Sequence, residues 1–111
     1  MSVKVNIDLF FEKAVKYVQT GLAKDQYPNK DELSNDQKLK FYALFKVATS
    51  GPNNTSRPGF FDFVGKAKWD AWTNESSKSR QRAKMDYINL LSKLAPGWEQ
   101  FYDSVLIKKK N

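Results

Sequence analysis

Proline and glycine cut this chain into pieces whose lengths suit helices. Gly51-Pro52, Pro58-Gly59 and Pro96-Gly97 are the main cuts, and such dipeptides mark turns and loops. The run NDQKLKFYALFKVATS, residues 35–50, contains no breaker and ends at Gly51-Pro52, a strong stop. The next nine residues, GPNNTSRPG, hold two prolines and two glycines and exclude regular structure.

The apolar spacing agrees with helices on either side. Asp8 can N-cap a first helix in which Phe10, Phe11, Ala14, Val15 and Val18 recur at helical intervals, with Gly21 as a stop. GLAKDQYPNKDEL, residues 21–33, reads as a loop. Ser34 is a second N-cap, and Gln37 three residues on completes a capping box. DFVGKAKWDAWTN is compatible with a third helix, with Asp62 near its start. Ser77 or Ser79 opens a fourth, running to about Ala95. Its Ala83, Tyr87, Leu90, Leu91 and Leu94 share one face. WEQFYDSVLIKKKN can add one or two helical turns before a basic tail. No repeat and no β-alternation appears. The expectation is an all-α fold of four main helices, with a domain over 6–95 and a C-terminal extension over 96–111.

Composition narrows the chemistry. A chain of 111 residues suits one domain with a modest core. It has neither cysteine nor histidine, so disulfides, thiolates and imidazole acid–base catalysis are excluded, and metal would fall to carboxylates alone. No serine sits in a nucleophile-elbow context. The expectation is a protein that is not an enzyme and needs no metal or cofactor. No apolar run approaches the roughly 18 residues that span a bilayer. The N-terminus reads as neither a secretory signal nor a transit peptide. A soluble cytoplasmic monomer is expected.

The net charge is +7 and is uneven: residues 1–37 carry −1 and residues 38–111 carry +8. Anions are therefore attracted to the part beyond residue 37. A solvated basic surface would give the same totals.

The second helix has two faces. Phe41, Leu44 and Ala48 make a core stripe, while Tyr42, Phe45, Lys46 and Thr49 make an aromatic and cationic one. The third repeats the chemistry, with Lys68 and Trp72 at i, i+4 and Lys66 and Trp69 at i, i+3. These groups suit either the edge of a core or a ligand. Ammonium groups meet phosphates as point charges, and rings stack on a base or line an apolar groove. A ligand with phosphates, a base and an apolar tail would use them all.

LKFYALFKVATSGPNNTSRPG followed by DFVGKAKWDAW, and more weakly AKMDYINLLSKL, resembles the acyl-CoA-binding protein family over roughly residues 8–95. YxxxKxAT, the GxxNTxRPG loop and GKAKWDAW carry the likeness. It implies a four-helix bundle that binds and transports or buffers long-chain fatty acyl-CoA. It implies Tyr42, Lys46, Lys68 and Tyr87 at the head group, Phe45 at the adenine, and Phe11 and Val15 along the acyl chain. Arg57 is expected to hold structure rather than ligand, and Pro58-Gly59 to shape the loop. At least one of Trp69 and Trp72 is expected in the core. Gln19, Pro52 and Ser56 depart from common family residues. Acyl-CoA-using enzymes and membrane surfaces are possible transient partners.

A basic helical nucleic-acid-binding module is the alternative, since basic charge and aromatic rings suit single strands. No nucleic-acid motif accompanies them, and the cations are spread over three helices and a tail.

Overall fold

The structure, a computed structural model, describes residues 6–19, 33–100 and 102–103. Four α-helices are present among them: α1 Ile7–Gln19, α2 Asn35–Ser50, α3 Phe63–Glu75 and α4 Arg80–Leu94. Residues 98–100 and 102–103 are helical as well, and the described residues contain no strand. No helix among them is long and apolar enough to cross a membrane. Gly21, the loop after it and the basic tail lie outside the described residues.

The helix starts follow from side chains that accept backbone N–H groups. Ser34 and Gln37 form the capping box of α2: Gln37 N donates to Ser34 Oγ at 3.1 Å, and Ser34 N to Gln37 Oε1 at 2.9 Å. Asp62 caps α3 by accepting from Gly65 N at 2.9 Å. A Cβ on Gly65 would stand 2.2 Å from that carboxylate, so this cap needs a glycine there. Ser79, rather than Ser77, serves α4 and accepts from Arg82 N at 3.0 Å. In α1 the cap is Asn6, whose Oδ1 accepts from Leu9 N at 3.1 Å. Asp8, expected in that role, stands in the first turn, where its charge favours the positive end of the helix.

The chain divides into two units. One is residues 33–87, holding α2, α3 and the first half of α4; the other is residues 1–32 with 88–111.

In the 33–87 unit, α2 packs on α3. Phe41, Leu44 and Ala48 are buried as the stripe requires, and Ala43 and Val47 widen it. Trp72, Ala83 and Tyr87 are buried too. Tyr87 meets Phe41 edge-on, with ring centroids 5.0 Å apart, a favoured aromatic geometry.

The turn after α2 is locked from three sides. Gly51 has φ 83° and donates its N–H to Val47 O at 3.0 Å. That left-handed φ suits glycine alone among common residues. Trp72 Nε1 donates to Gly51 O at 2.8 Å, and Arg80 Nη1 to Thr49 O at 3.0 Å. Pro58-Gly59 is different. Gly59 has no positive φ, and a Cβ there would meet nothing within 4 Å. The conformational demand expected at Gly59 falls instead on Gly51.

The loop 51–62 is strapped to α3. Asn53 takes its N–H to Ser76 Oγ at 2.9 Å and its Nδ2 to Thr73 Oγ1 at 3.0 Å, while its Oδ1 accepts from Thr55 N at 3.0 Å. Trp69 Nε1 donates to Thr55 O at 3.0 Å. Arg57 forms a two-pronged pair with Asp70, Nε to Oδ1 at 3.0 Å and Nη2 to Oδ2 at 2.9 Å. Arg57 thus has the structural partner expected of it. The Asp70 carboxyl is held below the usual carboxylate range by that hydrogen bond, which outweighs desolvation.

In the other unit, Phe11, Ala14 and Tyr17 are buried along α1, and Phe10, Val15 and Val18 are half-buried. Tyr17 lies 5.8 Å from Trp98, centroid to centroid. Trp98 is itself buried and donates Nε1 to Ser92 Oγ at 3.0 Å. Tyr102 is buried, and Lys13 pairs with Asp103 at 3.0 Å. Residues beyond 95 therefore contribute rings to the packing.

Candidate functional site

The site is built on the exposed side of the α2–α3 pair. Tyr42, Phe45 and Lys46 are half-buried on one stripe of α2, and Thr49 is exposed at its end. Lys68 is exposed on α3. The two lysines cross in opposite directions. Lys46 Nζ lies 4.7 Å from the ring centroid of Trp72 on α3. Lys68 Nζ lies 5.3 Å from the ring centroid of Tyr42 on α2. Each ammonium rests on the negative face of a ring contributed by the other helix. Each cation is thereby held on the α2–α3 pair by a ring rather than by an acid. Such a pair is suited to a phosphate or pyrophosphate, which lysine binds as a point charge. The half-buried ring of Phe45 on the same stripe offers a face for a base.

Beside this stripe, α2 and α3 border an open groove of about 570 Å³. Its apolar lining is Leu39, Ala43, Ala67 and Ala71; its charged lining includes Asp36, Lys40, Asp70 and Glu75. Three carboxylates make it a poor place for phosphates. Small apolar side chains leave room for a hydrocarbon.

Glu75 is the buried acid of this unit, 7% exposed, and no local pattern in the chain singles it out. It pairs with Lys40 and, at 3.3 Å, with Lys78. Lys78 also pairs with Asp86 at 2.7 Å, and Arg82 with Asp86 at 3.1 Å. Burial pushes the Glu75 and Asp86 carboxyls up, but the hydrogen bonds and charges of their basic partners outweigh it, so both fall below their ordinary values. Burial likewise lowers the Lys78 ammonium, and its two acids more than reverse this.

The residues expected at the site separate. Tyr42, Phe45, Lys46 and Lys68 share the exposed side of the α2–α3 pair. Tyr87 is 3% exposed and packs in the core on Phe41, and burial pushes its phenol up. Phe11 is buried and Val15 half-buried on α1, in the other unit. Trp72, expected either in the core or beside Lys68 at the site, is both core and the platform for Lys46. Its position four residues after Lys68 marked it as a neighbour of the site, and nothing local marked its partner on α2. Among the described residues, no group of His, Cys, Asp and Glu is arranged to hold a metal ion.

The chain is thus an all-helical protein that carries lysines on aromatic platforms and borders a groove of mixed apolar and charged lining. Residues 8–91 match the family model described as acyl-CoA-binding protein, and the chain belongs to that family. It is 47% identical over 70 residues to human enoyl-CoA delta isomerase 2, covering 63% of this chain and 18% of that protein. It is 43% identical over 84 residues to acyl-CoA-binding domain-containing protein 5 of Xenopus laevis, covering 76% of this chain and 17% of that one. The chain thus matches less than a fifth of the length of these relatives. Among solved structures, the acyl-CoA-binding protein of Moniliophthora perniciosa superposes with a TM-score of 0.70 at 35% identity, covering 96% of this chain and 97% of that one. Acyl-CoA-binding protein 2 of Oryza sativa gives 0.67 at 38% identity, covering 79% and 87%. The fold is that of an acyl-CoA-binding domain.

Proposed function

We propose that this protein binds long-chain fatty acyl-CoA esters and acts as a non-enzymatic carrier or buffer for them, as a monomer in the cytoplasm. The observation that carries this reading is the crossed pair, Lys46 on Trp72 and Lys68 on Tyr42. It presents two positive charges beside rings on α2 and α3, the same two helices that border the groove.

In this reading Lys46 and Lys68 meet the phosphates, with Tyr42 beside them, and Phe45 stacks on the adenine. Each charge-assisted contact contributes about 1.5–3 kcal/mol net. The acyl chain enters the groove along Leu39, Ala43, Ala67 and Ala71. Each methylene withdrawn from water contributes about 0.8 kcal/mol, so a dozen half-covered methylenes supply about 5 kcal/mol, comparable with the two phosphate contacts. Tail and head group then share the affinity, and neither fragment alone binds as tightly as the whole ester. Tyr87, Phe11 and Val15 are carried forward as contacts on the resemblance alone. With neither histidine nor cysteine, the chain is suited to holding a thioester without cleaving it.

Calorimetry with palmitoyl-CoA, free CoA and free palmitate tests the reading. Stoichiometric binding of palmitoyl-CoA, with both fragments much weaker, is expected. Equal affinity for palmitate and palmitoyl-CoA would overturn it.

A further inference from the structure

We propose that the segment Phe60–Val64 docks this protein on anionic lipid bilayers. Phe60, Phe61, Phe63 and Val64 are 75%, 84%, 68% and 67% exposed. Four large apolar side chains within five residues form a protruding patch of a kind that soluble surfaces rarely present without a use. The rings are organised. Phe60 and Phe61 meet edge-on at 5.2 Å. Lys66 donates to Phe60 O at 2.7 Å, and its Nζ stands 4.9 Å from the Phe60 ring centroid and 5.0 Å from that of Phe63.

The charge selects the occupant. An ammonium is fixed at the level of exposed aromatic rings, on a chain whose residues 38–111 carry a net +8. The two acids nearest in sequence are engaged: Asp62 caps α3 through Gly65 N, and Asp70 pairs with Arg57. A bilayer surface offers the matching layers, with acyl boundary for the rings and anionic headgroups for Lys66 immediately above it. Aromatic rings settle at that boundary. A neutral apolar protein surface would cover the rings but offer Lys66 no anion beyond Asp70, whose charge it already meets at a distance. The proposal does not depend on acyl-CoA binding, and its test contains none.

The experiment is co-sedimentation of the full chain with vesicles, either phosphatidylcholine mixed with phosphatidylserine or phosphatidylcholine alone. The parent protein partitions onto the anionic vesicles and much less onto the neutral ones. Phe60→Ser with Phe61→Ser lowers that partition at least about tenfold. Both side chains are exposed, so melting temperature is unchanged. Lys66→Gln lowers it about fivefold on anionic vesicles and leaves the neutral ones unaffected. Equal binding to both vesicle types, or a double variant that binds like the parent, overturns the proposal. So does a parent that ignores vesicles but self-associates in sedimentation velocity through the same two phenylalanines, since the patch would then join copies of this chain.

Discussion

Lys46 of α2 lies over the indole of Trp72 on α3, its Nζ 4.7 Å from the ring centroid. The indole is 8% exposed, so the lysine stem covers part of its remaining surface while the ammonium keeps contact with water. The residue is therefore attached to the core, although its position on the stripe away from Phe41, Leu44 and Ala48 argued that it had no part in packing. Lys46→Ala is expected to cost about 0.5–1 kcal/mol of stability through the lost contact. It is expected to weaken palmitoyl-CoA binding roughly ten- to a hundredfold. Thermal melts of the unliganded variant beside calorimetry separate the two. Parental affinity in Lys46→Ala would show that the stripe is only a solvated face.

Tyr42→Phe keeps the ring under Lys68 and removes one hydroxyl. Binding is expected to fall by less than in Lys46→Ala, and Tyr42→Ala to fall further because Lys68 loses its platform. A Tyr42→Phe variant as weak as Tyr42→Ala would assign the contribution to the hydroxyl rather than the ring. The same calorimetric titration reads all three.

Trp72 touches Lys46 and sits at the cation pair, so palmitoyl-CoA is expected to change tryptophan fluorescence. Trp72→Phe removes most of that change if Lys46 is the reporter's neighbour. An undiminished signal in Trp72→Phe would place the ligand nearer Trp69 or Trp98.

The Glu75–Lys78–Asp86 network makes stability depend on pH in both directions. Glu75 and Asp86 have folded pKa values below their ordinary 4.5 and 3.8. Their contribution is full above those values and is lost as pH falls through the lower, folded ones. Lys78 and Tyr87 are raised above 10.5 and 10.0, so theirs is full below those values and is lost as pH rises past them. Melting temperature should be flat near neutrality and decline at both ends. Glu75→Gln is expected to cost about 1 kcal/mol at neutral pH and to flatten the acid decline. An acid limb as steep as the parent's would show that other carboxylates set it.

Gly51→Ala is expected to destabilise by about 1–2 kcal/mol, because φ 83° places a Cβ against the following carbonyl. The same change at Gly59, which has no positive φ, should be nearly neutral. Chemical denaturation of the two variants compares them directly, and equal losses would contradict the assignment of the strained turn to Gly51.

Sequence made the helices legible where the cause is local. Ser34 with Gln37, Gly51 with Pro52, and Asp62 before an unbroken run are caps and stops whose partners lie within a few residues. The two faces of α2 were also legible, because 3.6 residues per turn settles which side chains share a side. What lay hidden needs a partner far along the chain. Thr55 and Arg57 belong to the recognisable loop motif and help strap it to α3, yet Asn53, outside the motif, also pins the loop, through Thr73 and Ser76 some twenty residues away. Glu75 reads as a surface acid until Lys40 and Lys78 are placed around it. Tyr17 carries a polar hydroxyl, yet its ring completes the buried face of α1 and meets Trp98 far along the chain. The crossing of Lys46 and Lys68 combines both kinds: the stripes could be drawn, and which ring each lysine chooses could not.

Trp72 joins three of these features in one rigid plate. Its Nε1 edge is fastened to Gly51 O, its body fills the core of its unit, and its face bears Lys46. The turn that ends α2 and the cation that would receive a phosphate therefore share a single mechanical element. Replacing it with phenylalanine or leucine could restore the volume, but neither has a donor for Gly51 O, and leucine has no ring for Lys46. A lineage exploring new ligands could alter Phe45 or Leu39 step by step. At position 72 it would have to reinvent the turn and the charge together, which makes this residue a brake on how far the site can diverge while the turn keeps its form.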